Sequence, residues 1–336
     1  MISNYFLLYF SALIISFSIL GYGFLLSRII NKDLLSYNLG YQGLLGILFL
    51  TFISYLTIFF MKHGYIHNII VHIIGISSFM IYFKKKFSYK DLKKFLILFS
   101  ILFIGLLIIR NHDDFNYYHL TYSLGLTEHK IFMGLGQFSH GYRYHSSLFF
   151  FNSIIFLPYI KYYLFHSLGW FTLVFVNYII LDFLLFNKVK ELKFEYFFYL
   201  FLILFINIKF SRIGGYGTDL SSQMILMTIF PLIYLTLQTD IKSNLFKSNL
   251  FIIILLITYT VTLKSFFILS FLFLISFLFL YDFKKIFNIV FFSKTFIFSI
   301  ILILLLIAVN LAYTGCAIYP VKSTCLSDQL SWALEK

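Results

Sequence analysis

Apolar residues in this chain come in long unbroken runs separated by short polar stretches. A helical crossing of a bilayer needs about 20 consecutive apolar residues. On that measure the pattern predicts helices near 5–27, 39–61, 66–83, 95–109, 161–186, 196–210, 221–238, 250–263, 265–281 and 294–313. The expected architecture is an all-α integral membrane bundle of about 10 transmembrane helices, a single domain over 1–336, with a long, partly helical external loop at 110–147. The stretch from Ser146 to Pro158 is expected to lie along or partly within the membrane before the next full crossing.

Residues 250–281 form one apolar run interrupted only by Lys264. As a single helix it would measure about 48 Å at 1.5 Å per residue, against a hydrocarbon core of about 30 Å. A hairpin of two short helices removes the mismatch and puts Lys264 at its turn.

Composition removes the alternative of a soluble fold. The chain is 61% hydrophobic and 12% charged, with mean hydropathy +0.92. Soluble domains run at about 45–50% apolar and about 25% charged. The first apolar run has neither a positive leading segment nor a small-residue cleavage site, so it reads as a retained helix rather than a signal peptide.

The net charge of +13 does not point to nucleic acid, because lysine is concentrated in short loops between apolar runs. "KKKFSYKDLKK" (84–94) carries six lysines and is assigned to the cytoplasmic side. Alternating from that anchor puts loops 28–38, 187–195, 239–249 and 282–294 on the same side, and together these five hold most of the 26 Lys and Arg. The N-terminus, loop 110–147, loop 211–220 and the C-terminal tail then face outward.

The outward loops hold the candidate chemistry. "RNHDDFNYYHL" (110–120) sets Arg110, His112, Asp113, Asp114 and His119 against a greasy background, and "FNYYHLTYSLGL" is expected to form a short interfacial helix. Two readings of Asp113 and Asp114 stand. Either one caps that helix while the other is solvated, or one carboxylate acts as a base or metal ligand beside a lipid-borne substrate. Asp113, Asp114 and His119 are suitable donors for Mg²⁺ or Mn²⁺, but no spacing signature such as HExxH accompanies them. Arg143, in "GLGQFSHGYRYHSS" (134–147), suits bidentate phosphate recognition or a place at the headgroup layer. In "SRIGGYGTDLSSQ" (211–223), Thr218 or Asp219 is read first as a helix cap, with Arg212 and Asp219 on the same side as Asp113 and Asp114. Lys264 is either an interfacial anchor or a cation for a lipid-carrier phosphate. Cys316 and Cys325, in an outward loop, are expected to pair as a disulfide.

The order of these pieces is itself informative. An acidic motif followed by "YYHL", Pro158 after an apolar segment, "TD" at 218–219, "TLKS" at 262–265 and "GCAIYP" at 315–320 together resemble the GT-C superfamily of polytopic membrane glycosyltransferases over roughly residues 95–330. The resemblance implies transfer of a sugar from a polyprenyl-phosphate-linked donor to an acceptor at the outer face of a bacterial cytoplasmic membrane. It assigns Asp113 or Asp114 as base or metal ligand, Asp219 as a second external acid, and Lys264, Arg143 and Arg212 as cations near the donor phosphate. Tyr118 and His119 join the substrate contacts, with Tyr117, Tyr142 and Tyr144 available to stack on sugar faces. Relatives of this kind often continue beyond the cysteine loop, so a further C-terminal region is expected to be missing from a chain ending at "SWALEK". The alternative from another class is a transporter or flippase, or a non-catalytic assembly partner, for lipid-linked glycans. A transporter would gather its polar groups near the bilayer midplane.

Overall fold

The computed structural model describes residues 2–108, 114–165, 167–186, 194–209 and 218–334. Arg110, His112, Asp113, His166 and Arg212 lie outside the described residues. Among those described the chain is helical, without strands.

The helices are α1 (Ile2–Ile30), α2 (Leu39–Ile58), α3 (Tyr65–Lys86), α4 (Tyr89–Leu107), α5 (Leu120–Glu128), α6 (Ser147–Ile154), α7 (Ser167–Phe186), α8 (Phe194–Lys209), α9 (Thr218–Leu237), α10 (Asn244–Leu263), α11 (Ile275–Leu280), α12 (Phe283–Phe291) and α13 (Lys294–Thr314). Seven of them (α1, α2, α3, α7, α9, α10 and α13) are long and apolar enough to cross a membrane. The count of about 10 is not reached on that measure. α4 has four charged residues among its first six, α8 has 16 residues, and Ser265–Leu280 is a shorter apolar helix.

Helices surrounded by lipid gain little from the hydrophobic effect when they meet, so close packing and internal hydrogen bonds must hold them together. Glycine makes the α1–α2–α3 contact close. A Cβ on Gly21 would sit 1.8 Å from the Gly75 carbonyl oxygen, and one on Gly46 would sit 1.8 Å from that of Ile19. Trp170 of α7 is fully buried and donates its indole N–H to the Leu102 carbonyl at 2.8 Å.

Polar contacts sort the connections into two ends. At one end Asn38 Nδ2 donates to Asp182 Oδ2 at 3.0 Å, the Tyr178 hydroxyl donates to the Asp91 carbonyl at 3.4 Å, and the Tyr281 hydroxyl reaches the Leu237 carbonyl at 3.1 Å. The lysines of 84–94 lie at this end. At the other end the His63 N–H donates to the Leu126 carbonyl at 3.0 Å, and Gly134 to that of Ala312 at 2.8 Å. Here segment 114–165 and the C-terminal residues 315–334 close over the bundle.

The segment after Ser146 differs from a surface layer. All eight residues of α6 are buried. A helix that ends inside the bundle must have its last carbonyls satisfied by neighbours. Asn68 Nδ2 donates to the Ser153 and Phe156 carbonyls, both at 2.8 Å, and the Ser54 hydroxyl to that of Phe150 at 2.7 Å. The next crossing begins at Ser167 rather than near 161, because the chain first turns a corner. Pro158 disfavours helix at the residue before it, and Tyr159 and Lys161 take φ of 69° and 49°.

The hairpin expected at Lys264 is present. α10 stops at Leu263, Lys264 is extended (φ −154°, ψ 123°), and the chain returns as a 3-10 helix, Ser265–Leu274, running into α11. Phe246 at the start of α10 meets the Phe277 and Tyr281 rings at 6.0 and 5.1 Å, so the two arms are antiparallel. Ten residues of 3-10 helix is a long run for that conformation.

Candidate functional site

A cavity of about 400 Å³ opens at the end of the bundle closed by 114–165, and five segments distant in sequence build it. The first is the start of the acidic loop. Asp114 precedes a π-helical turn, Phe115–His119, and its carboxylate makes no capping bond to that turn. π turns are rare and recur at functional sites. Asp114, Tyr118 and His119 all line the cavity. The Tyr118 ring lies against Gly141, where an added Cβ would meet its Cγ at 2.3 Å, so only glycine lets the two segments close. Burial first, and then the Asp114 charge, push the Tyr118 hydroxyl up to about 12, so it stays a proton donor.

The second segment is Arg143–Ser146. Arg143 spends its Nε on the Gly136 carbonyl at 3.0 Å, which fixes the guanidinium beside the cavity. His145 is clamped between two tyrosines: its Nε2 is 2.7 Å from the Tyr55 hydroxyl, and its Nδ1 is 3.0 Å from that of Tyr122. Burial pushes its pKa down to about 3, so the ring is neutral, with one nitrogen donating and the other accepting. The Ser146 hydroxyl donates to the Leu263 carbonyl at 2.7 Å, tying this strip to the residue before Lys264.

The third and fourth segments are the first turn of α9 and the turn after α10. Lys264 Nζ is 2.6 Å from Asp219 Oδ1 and 2.8 Å from Oδ2. Of the two residues read as caps for α9, Thr218 and Asp219, the second thus has its carboxylate engaged with the hairpin-tip lysine. Both side chains keep nearly half their surface, at 46% and 42%, so the pair remains open to solvent or ligand.

One wall was not foreseen. Leu306 and Asn310 of α13, with Ile318, Tyr319 and Pro320 of the cysteine loop, also line the cavity. Asn310 donates to the Ala317 carbonyl at 3.3 Å, and Tyr144 meets Tyr319 edge-on at 5.3 Å. Asn310 is a lone polar residue in an apolar run, which was a readable signal. A Cys316–Cys325 disulfide pins the loop that carries Tyr319.

Of the residues singled out from the sequence, Asp114, Tyr118, His119, Arg143, Tyr144, Asp219 and Lys264 come together around this cavity. Tyr142 faces a separate groove. Among the described residues no group of three or more His, Cys, Asp or Glu is placed to hold a metal ion. Asp114 and His119 supply two donors of the expected triad, and Asp113 lies outside the described residues. As an arrangement, the cavity offers one carboxylate at its wall, a carboxylate–ammonium pair at its rim, and a fixed guanidinium. That set can accept a proton from a hydroxyl and can neutralise a phosphate.

The chain belongs to the family described as a domain of unknown function (DUF8201), whose model matches residues 5–336. No curated protein and no solved structure matches it.

Proposed function

We propose that the protein is a membrane glycosyltransferase of GT-C type, which moves a sugar from a polyprenyl-phosphate-linked donor to an acceptor hydroxyl at the outer face of a bacterial cytoplasmic membrane. The observation that carries this reading is the meeting of Asp114, Arg143, Asp219 and Lys264 around one cavity at the end of the bundle. Placement at the end, beside the last turn of α10 and the first of α9, fits a headgroup substrate better than a path through mid-membrane.

In this proposal the Asp114 carboxylate takes the proton of the acceptor hydroxyl as its oxygen attacks the anomeric carbon. The bond from that carbon to the phosphate oxygen breaks, and its electron pair stays with the phosphate. Lys264 and Arg143 stabilise the growing negative charge, an effect strongest in a site shielded from water. Asp219 holds the ammonium at the rim until phosphate arrives.

The orientation rests on the lysines of 84–94, which lie at the opposite end and belong on the cytoplasmic side. The same alternation has α4, α8 and Ser265–Leu280 crossing as well, which gives about ten crossings. The test is transfer of labelled sugar from a polyprenyl-phosphate donor by the purified chain. Transfer by wild type and its loss in Asp114→Asn are expected. An Asp114→Asn variant as active as wild type would overturn the assignment.

A further inference from the structure

A glycine inside a helix costs about 0.5–1 kcal/mol relative to alanine. Gly21 and Gly46 explain themselves through backbone contact with neighbouring helices. Gly125, in the second turn of α5, does not: a Cβ built there meets nothing within 4 Å. It opens onto a groove of about 340 Å³, lined by rings of Tyr122, Phe132, Phe138, Tyr142 and Tyr313.

This groove is not the cavity described above. The strip 142–146 runs between them, with Tyr142 lining the groove and Arg143–Ser146 lining the cavity. The two share a wall, because the Tyr122 ring in the groove hydrogen-bonds His145 in the cavity at 3.0 Å.

Two hydrogen bonds fix the level at which the groove lies. The Ile131 N–H donates to the Ile58 carbonyl at 3.1 Å, and Gly134 to that of Ala312 at 2.8 Å. Those carbonyls belong to the last turns of α2 and α13. The groove therefore opens where apolar crossings end, at the depth where lipid chains meet headgroups. Phe132, Met133 and Phe138 are 41%, 55% and 77% exposed there.

The rim adds charge. A shallower depression shares His129, Lys130 and Phe132 with the groove and continues to Lys62 and Glu128. Among the described residues neither Lys62 nor Lys130 is ion-paired. Two lysines face one glutamate, so the rim complements an anion.

We propose that the Gly125 groove binds one membrane lipid with an anionic phosphate headgroup, its chain on the aromatic floor and its headgroup against Lys130 and Lys62. The bound lipid braces Tyr122 and Tyr142 and so steadies the wall that carries His145. This holds whether or not the cavity transfers sugar.

The test uses the full chain in detergent with a phosphatidylglycerol bearing a photoactivatable acyl chain. A zwitterionic phosphatidylcholine analogue and soluble glycerol phosphate serve as comparisons. Labelling is expected to saturate at one lipid per chain, to map to residues 121–142, and to favour the anionic probe. Gly125→Trp, which fills the groove, is expected to cut labelling about tenfold, equivalent to about 1.4 kcal/mol of binding, while Gly125→Ala leaves it intact. The pair Lys62→Gln and Lys130→Gln is expected to erase the anionic preference. If Gly125→Trp does not fold, Phe132→Ala with Phe138→Ala replaces it, with the same loss of labelling expected. Non-saturating label spread over the lipid-facing helices and unchanged by these substitutions would mean annular lipid only, and would overturn the proposal. Competition by glycerol phosphate as strong as by the lipid would also overturn it.

Discussion

Lys264 and Asp219, 45 residues apart in sequence, meet at 2.6 Å because α10 ends where the hairpin turns and α9 begins beside that turn. A half-exposed pair of this kind contributes about 0–1 kcal/mol to stability. In the proposed reaction its importance lies in placing an ammonium at the cavity rim, where a carboxylate holds it and a phosphate can take it over.

This exchange predicts opposite outcomes for the two partners. In the proposed reaction Lys264→Gln removes a cation from the leaving phosphate and is expected to lower kcat about a hundredfold to a thousandfold, the range seen when a charge-stabilising donor is removed. Asp219→Asn frees the ammonium and is expected to lower KM for the polyprenyl-phosphate donor. Steady-state kinetics of both variants check this, and equal losses of kcat would contradict it.

Asp114→Asn is expected to reduce transfer about a hundredfold to ten-thousandfold, the usual worth of a general base. A base that acts only in the reaction leaves the melting temperature near that of wild type when it is replaced. A large fall in melting temperature would make Asp114 a structural residue.

The Cys316–Cys325 ring is short, and the loop-entropy relation gives it about 2.5–3 kcal/mol of stabilisation. Cys325→Ser is expected to lower unfolding stability by that order and to loosen Tyr319 and Pro320 at the cavity wall, raising KM more than it lowers kcat. Thermal unfolding together with kinetics separates the two effects.

Two buried histidines predict an acid-sensitive fold. Burial lowers the pKa of both His145 and His63 from 6.5 to about 3. The unfolded chain therefore binds more protons than the folded one between those values, and stability falls as pH drops from about 6.5 toward 3. Above pH 6.5 the contribution is constant. His145→Gln, measured by melting temperature against pH, should flatten part of that slope. An unchanged slope would remove His145 from the account.

Much of this site was legible because membrane sequence makes charge conspicuous. Lys264 is the lone cation in an apolar run, and a run too long for one crossing points to its hairpin. Asp114 and Arg143 stood out for the same reason. Thr218 or Asp219 reads first as a helix cap, and the ion pair of Asp219 with Lys264 is not legible, because the partner is 45 residues away and helix periodicity carries no information about which ends meet. Asn310 is a fainter signal, because one amide inside α13 scarcely changes hydropathy. The burial of α6 was not legible either: it depends on Asn68 and Ser54 of other helices supplying partners for its last carbonyls. The aromatic groove is invisible in sequence because Gly125 reads like any other helical glycine until its surroundings are known.

The central claim is that Lys264 and Arg143 hold a lipid phosphate in the cavity beside Asp114. Cryo-electron microscopy of the protein with polyprenyl phosphate tests it most directly. The account predicts phosphate density within about 3 Å of Lys264 Nζ and of the Arg143 guanidinium, hydrogen-bonding distance, with the Asp219 contact opened. Phosphate bound at the lysine-rich end of the bundle, or an empty cavity with the Lys264–Asp219 pair intact at saturating ligand, would contradict it.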